Sequence, residues 1–358
     1  MLADMNAFRP VIRRLAVLAA FPLVLSGLVS AAPAVAEAPS AAAIRSGEVW
    51  KDTEGNFINA HGGGMLYHEG VYYWYGEIKT GKTWAPDCNK SWGGTRVEMR
   101  GVSCYSSRDL VHWKNEGNVL PAEQNDAASK IHKTKVVERP KVVHNKKTGK
   151  FVMWMHIDSE DYKLAEAGVA VADKPTGPFR FLESSRPDGA MARDMTVFAD
   201  DDGKAYLFHS SEDNATMHIS LLTDDYLKPA GKFVRIFENR SMEAPAVFKR
   251  GGKYFLVASG CTGWAPNAAR SATADSIWGP WKELGNPARG PEADVTFKGQ
   301  STYVLPVAGK KDAYIFMADR WSQWDLADSR YLWLPIKFTA EGFEVPWQDS
   351  WDLSSLGK

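Results

Sequence analysis

The sequence is short of cysteine. Only Cys88, Cys104 and Cys261 occur in 358 residues. At most one disulfide can form, and no C-x-x-C spacing offers a metal site. The chain also lacks an excess of either charge, since 43 Lys plus Arg balance 43 Asp plus Glu. That excludes the basic surplus with which a nucleic-acid binder neutralises phosphates, and equally an acidic solvating tail. Past the first thirty residues there is no long segment of 3.6-residue hydrophobic period, so no helical layer is expected. No apolar run reaches the roughly 20 residues of a membrane span. What is abundant is aromatic: 14 Trp, and 12% of all residues. A buried indole needs a partner for its N–H, so this many point to packed β structure, with a share left for a carbohydrate-facing surface.

The N-terminal segment reads as an address. Arg9, Arg13 and Arg14 precede an apolar run from Leu15 to Val29, and Ala34-Val35-Ala36 fits a small-residue cleavage site. Residues 1–36 are therefore expected to be a secretory signal peptide and residues 37–358 the mature chain, secreted or periplasmic and off the membrane once cleaved. No cysteine follows the run, so no lipid anchor is indicated. In an oxidising compartment Cys88 and Cys104, nearest in sequence, are the candidate pair.

The rest of the chain repeats one unit: a short strand, a Gly-bearing turn and an aromatic-rich strand. It is read at Met65–Tyr75, Lys141–Met155, Thr196–Phe208, Ala246–Val257 and Ser301–Phe316. This is a hairpin signature. Second hairpins are read from Val102 to Trp113, from Val169 to Phe181 and from Ala269 to Trp281. Five alike hairpins spaced by roughly 50–75 residues predict an all-β fold, a five-bladed β-propeller in one domain, rather than a β-sandwich. The last twenty residues, with Trp347 and Trp351, are expected to pack back and close the ring.

In a propeller the innermost strands converge on one channel. The residues just before them are Ala60-His61-Gly62-Gly63-Gly64, Glu138-Arg139-Pro140, Arg193-Asp194, Met242-Glu243-Ala244-Pro245 and Gly299-Gln300. Three of the five places hold a carboxylate: Glu138, Asp194 and Glu243. Converging carboxylates with aromatic walls suit glycoside hydrolysis, in which a protonated carboxyl serves the leaving oxygen and a second group serves water or the sugar. The apolar neighbours of Glu243 are of the kind that keep a carboxyl protonated. Trp84, Trp92, Trp264 and Trp321 fall in loops and are candidates for stacking on sugar faces.

At these residues the chain resembles glycoside hydrolase family 43, and most of all its exo-β-1,3-galactanase branch. The resemblance is carried by "AHGGGML" (60–66), "YYWYGE" (72–77), "ERPKVVHN" (138–145), "RDMTVFADDDGKAYL" (193–207), "MEAPAVFK" (242–249) and "GQSTYVLP" (299–306). It implies a five-bladed propeller acting by inversion, with Glu243 as general acid and Glu138 tuning that acid and holding the sugar. Most of the family has a general-base Asp in the first blade, where this chain has Ala60-His61-Gly62. The resemblance gives the base-like role to Gln300, through an unusual tautomer or by positioning the water. It also implies sugar contacts by Glu77, Tyr162, Asp194, Thr262 and Trp264, with Trp264 the stacking candidate. His61 is a candidate pocket donor, although the three glycines also serve to let the backbone pass close to the channel.

No cofactor is implied. A channel metal, as some of the family hold, is not indicated, and Asp200-Asp201-Asp202-Gly203 reads as a hairpin turn. The partner is an oligo- or polysaccharide, and a monomer is expected. The alternatives are an arabinofuranosidase or xylosidase of the same family, against which the missing Asp argues, and a non-catalytic sugar-binding propeller.

Overall fold

The computed structural model describes residues 43–85 and 94–357. The expected signal peptide, Cys88 and Trp92 lie outside the described residues. All described residues belong to one compact unit, Ser40–Lys358.

The strands begin and end where the sequence supplies residues that tolerate a left-handed backbone. Glu69 and Gly70, at φ 48° and 80°, join His68 to its partner Val71. Two successive positive φ values give a hairpin turn whose twist matches that of the strands it joins. Gly251-Gly252 joins Arg250 to Lys253 in the same way.

The first sheet is β1 to β4 (His61–His68, Val71–Glu77, Gly101–Ser107, Lys114–Pro121). The second is β5 to β8 (Val136–Asn145, Lys150–Asp158, Glu166–Ala172, Arg180–Ser185). The third is β9 to β12 (Met195–Ala199, Ala205–Ser211, Thr216–Leu222, Pro229–Ile236). The fourth is β13 to β16 (Met242–Arg250, Lys253–Gly260, Arg270–Ala274, Lys282–Gly285). After the short β17 (Ala288–Arg289) comes the three-stranded β18 to β20 (Gln300–Pro306, Tyr314–Arg320, Arg330–Pro335). The chain ends with β21 (Lys337–Phe338) and β22 (Phe343–Pro346).

The fold is an all-β propeller. The expectation of five blades is corrected by a sixth sheet, in which β22 pairs with β17 in parallel and with β21 antiparallel. Counted as sheets, the propeller has six blades, but the sixth sends no strand to the axis. The strands that line the axis are β1, β5, β9, β13 and β18, each beside the next, and β18 beside β1. The sixth sheet was missed because its strands are two to four residues long, too short to show alternation. Asp109–Trp113, expected as the second arm of the Val102–Trp113 hairpin, is not a strand. The Asp109 carboxylate accepts from the N–H groups of Val111 and His112 and folds the segment into a turn, so the outer strand starts only at Lys114.

Among the described residues, five apolar clusters lie between neighbouring sheets. The one between the first and fifth contains Trp74, Trp113, Tyr331, Trp333 and Trp351, with Trp50 packed against it. Fully burying one such side chain is worth about 1.5–3 kcal/mol. The tail closes this seam as expected. Trp351 exchanges backbone hydrogen bonds with Ile44 (2.7 and 3.0 Å), and its indole donates to the Trp333 carbonyl (2.8 Å). Most of the tryptophans that strike the eye in the sequence are thus structural.

Candidate active site

Three of the five axial strands share a deformation at the channel end. Register shifts occur between His61 and Gly64 in β1, Glu138 and Lys141 in β5, and Glu243 and Ala246 in β13. In each, the residue after the first is left-handed: Gly62 at φ 61°, Arg139 at 56° and Ala244 at 55°. Such bulges re-aim side chains, and a non-Gly residue held at positive φ is strained. Here they turn Glu138 and Glu243 towards the channel from two different blades. In the first blade only glycine fits. A Cβ on Gly62 would lie 2.2 Å from Glu77 Oε1, and one on Gly63 would lie 1.6 Å from the Tyr75 carbonyl oxygen.

The channel mouth opens into a cavity of about 530 Å³ whose lining includes Glu77, Glu138, Asp194, Glu243, Gln300 and Trp264. The β5–β6 register sets Glu138 opposite His156. Glu138 Oε1 accepts from the Tyr162 hydroxyl (3.0 Å), and Oε2 lies 3.2 Å from His156 Nδ1. The other ring nitrogen, Nε2, lies 3.0 Å from Asp158 Oδ2. With a carboxylate at each nitrogen, His156 is placed to hold a proton on both. Burial lowers its pKa, but the hydrogen bonds to Asp158 and Glu138 outweigh that and bring it up to about 9. Burial likewise pushes Glu138 up, but the His156 hydrogen bond and the charges of Lys79, His156 and Arg139 bring it down to about 2. Glu138 is ionised.

Glu243 is the opposite case. Its β14 partner in the register is Ser259, which carries no charge. Glu243 Oε1 accepts from Gln300 Nε2 (3.0 Å) and Oε2 from Asn214 Nδ2 (3.2 Å). Burial and then the nearby Asp194 raise its pKa to about 8, against the opposing charge of Arg139. At neutral pH it holds a proton. Two carboxyls whose environments drive them apart mark an acid and its anionic counterpart.

Arg139 ties the two corners together. Its Nε donates to Asp194 Oδ1 (3.0 Å), and Nη2 meets Asp194 Oδ2 (2.8 Å). Nη2 also donates to Gln300 Oε1 (2.6 Å), and the Arg139 backbone N–H donates to Glu77 Oε1 (2.9 Å). Gln300 Oε1 accepts a second bond from Trp321 Nε1 (3.0 Å), and Nε2 also donates to Ser259 Oγ (3.1 Å). A guanidinium and an indole only donate, so the atom they face is the oxygen and the amide has one orientation. Below the floor, buried Lys141 donates to the carbonyls of Gly62 (2.8 Å) and Arg139 (3.3 Å), bracing two of the bulges.

The structure gathers Glu77, Glu138, Tyr162, Asp194, Glu243, Thr262, Trp264 and Gln300 around this one cavity. Glu77 forms an ion pair with Lys79, and burial raises its pKa. Trp264 stands edge-on to Trp321, with ring centroids 6.1 Å apart. His61 is a correction. It is 1% exposed, sits 3.3 Å from Asp319 Oδ1, stacks on Tyr331 and does not line the cavity. Its cross-strand partner Glu77 faces the cavity instead. Trp84 is also off the cavity, paired with Arg96. Cys104 is buried beside Tyr75.

Sequence reading missed Lys79, Arg139, His156, Arg193, Asn214 and Cys261. His156 could have been found by counting back from the Asn145–Lys150 turn, once the bulge is allowed for. Asn214 could not, because it rides on a run of three left-handed residues, Glu212 to Asn214, that no motif announces.

Glu138, His156 and Asp194 bring ligand atoms within 4.8 Å of one another. The set does not fit a resident cation. Both Asp194 oxygens meet Arg139, and both His156 nitrogens face carboxylates.

The sequence profile of glycosyl hydrolases family 43 matches residues 65–343. A β-1,3-galactosidase of that family, solved with galactodeoxynojirimycin, is 44% identical, with a TM-score of 0.80 over 87% of this chain and 100% of its own. The exo-β-1,3-galactanase of Phanerochaete chrysosporium, solved with galactose, is 36% identical, with a TM-score of 0.77 over 87% of this chain and 68% of its own. Among curated sequences, a β-D-galactofuranosidase of Aspergillus niger is 28% identical over 201 residues, which span 49% of this chain and 58% of that protein.

Proposed function

Since the chain belongs to glycosyl hydrolase family 43, we propose that it is an exported, inverting exo-β-1,3-galactanase or galactosidase. It removes terminal galactose from β-1,3-galactan, as in the backbone of arabinogalactan. The observation that carries this reading is the pair of cavity carboxyls at equivalent blade positions, Glu243 protonated and Glu138 ionised. The likeness to galactose-active structures along most of the chain supplies the sugar.

Glu243 gives its proton to the glycosidic oxygen as the bond to the anomeric carbon breaks, while water attacks from the opposite face. Glu138, held as an anion by His156 and Tyr162, holds the sugar and keeps negative charge beside the developing oxocarbenium ion. Gln300 orients the water by giving up one of its four present bonds, which run to Arg139, Trp321, Glu243 and Ser259. Its amide oxygen already takes two donors, which opposes the tautomer with a protonated oxygen and supports positioning over proton abstraction. The water's proton then goes to a cavity carboxylate; Glu77, ion-paired with Lys79, is a candidate, and burial raises its basicity. Trp264 offers its face to the apolar side of galactose.

Export rests on residues 1–36 and is tested by the N-terminus of the mature protein, expected near Glu37. The monomer reading is tested by sedimentation. The activity is tested with β-1,3-galactobiose and longer β-1,3-galactan, following the anomer of the first product by NMR. Release of α-galactose is the expected outcome. Binding without release would favour the silent sugar-binding propeller, and release only from arabinofuranosides or xylosides would move the chain elsewhere in the family.

A further inference from the structure

Among the carboxyls that line the cavity, Glu138 and Glu243 occupy matching blade positions, and the single proton needed for catalysis could sit on either. The structure holds an array that decides the matter. Asp158 is fully buried, and its Oδ1 accepts from the backbone N–H groups of Ser159 (2.9 Å), Leu164 (2.8 Å) and Ala165 (3.0 Å). These bonds fix it as a carboxylate and fold the loop that carries Tyr162. Its Oδ2 is left for His156 Nε2, and His156 Nδ1 is left for Glu138 Oε2. The Tyr162 hydroxyl completes the clamp at Glu138 Oε1. In the fourth blade Ser259 stands where His156 stands in the second, so Glu243 receives no cation from its own hairpin.

We propose that His156, oriented and charged by Asp158, is the positioning residue that allots the cavity's proton, holding Glu138 as the carboxylate and leaving Glu243 as the acid. The inference rests on the reading of Glu243 as the acid, but the array itself is a separate, measurable object. The other groups facing it are named by their elements. Lys79 follows β2 and Arg139 lies on β5, and both stabilise the Glu138 anion. Glu77 on β2 and Asp194 before β9 add negative charge nearby. The Tyr162 ring lies 6.3 Å from the imidazole. The only one of these cations that touches the Glu138 carboxylate is His156, and its hydrogen bond lowers the Glu138 pKa more than the charge of Lys79, of His156 itself or of Arg139.

Asp158→Asn would also loosen the Tyr162 loop, so the discriminating variant is His156→Gln. Its amide can still donate to Glu138 but carries no charge. In this variant the acid limb of kcat/KM on β-1,3-galactobiose is expected to rise by more than one pH unit, with kcat at the optimum reduced about tenfold and Tm little changed. A folded variant whose acid limb stays in place overturns the proposal. The second measurement needs neither folding of a variant nor turnover: ¹⁵N NMR of the histidine-labelled wild-type protein. His156 is expected to carry protons on both nitrogens at pH 7 and to lose one near pH 9. A neutral His156 at pH 7 overturns the proposal even if the protein hydrolyses galactan. A doubly protonated one supports it even if the sugar turns out to be different.

Discussion

Glu138 and Glu243 lie near the start of the axial strands of two blades, each followed by a left-handed residue and a bulge. By position they are the same residue, yet one is held near pKa 2 and the other near 8. Burial pushes both upward. The difference comes from what surrounds them: a histidine in the neighbouring strand for Glu138, and for Glu243 the nearby Asp194 carboxylate, a neutral serine across the hairpin and two amides. The fold supplies equivalent sites, and the second strand of each hairpin decides what chemistry its site performs. The first blade shows the same rule inverted, with the histidine on β1 and the carboxylate on β2, and there the β2 residue faces the cavity.

The comparison can be broken most violently at Glu243. Glu243→Gln removes the transferable proton and is expected to cut kcat on β-1,3-galactobiose by on the order of 10³-fold while leaving binding by calorimetry near normal. Retained turnover would remove Glu243 as the acid. Gln300→Ala comes next, with an expected loss of roughly 10²-fold, because it frees Arg139 and the attacking water together. It also removes an N–H that stabilises the Glu243 anion, so the basic limb of the surviving activity should move up, and a downward move would contradict the assignment.

In the wild-type protein the acid form of Glu243 prevails below its raised pKa. The kcat/KM profile is therefore expected to fall as pH rises through about 8. The smallest effect is expected at Asn214→Ala. Losing its N–H to Glu243 Oε2 should raise the basic limb by less than one unit, read from the same pH series.

Much of this was legible in the sequence, for physical reasons. The hairpins announce themselves because their turns need Gly and their strands need aromatic and β-branched residues, and that placed Glu138, Asp194, Glu243 and Gln300 at equivalent points. What stayed hidden depends on register and on the third dimension. His61 and Glu77 are cross-strand partners, and only the folded sheet shows that Glu77 lines the cavity while His61 packs against Asp319 and Tyr331. Arg139 gains its importance only when three blades converge on it. The sixth sheet pairs β17 with β22, segments more than fifty residues apart and too short for any pattern.

The central claim is that two of the cavity carboxyls, Glu138 and Glu243, differ by a proton at neutral pH. It is tested most directly by a ¹³C NMR titration of protein labelled at the glutamate carboxyls, with Glu243→Gln and Glu138→Gln used for assignment. One signal titrating near pH 8 and missing from Glu243→Gln, beside a Glu138 signal ionised throughout the range in which the fold persists, is the predicted result. Both carboxyls titrating together near the ordinary value of about 4.3 would contradict the account.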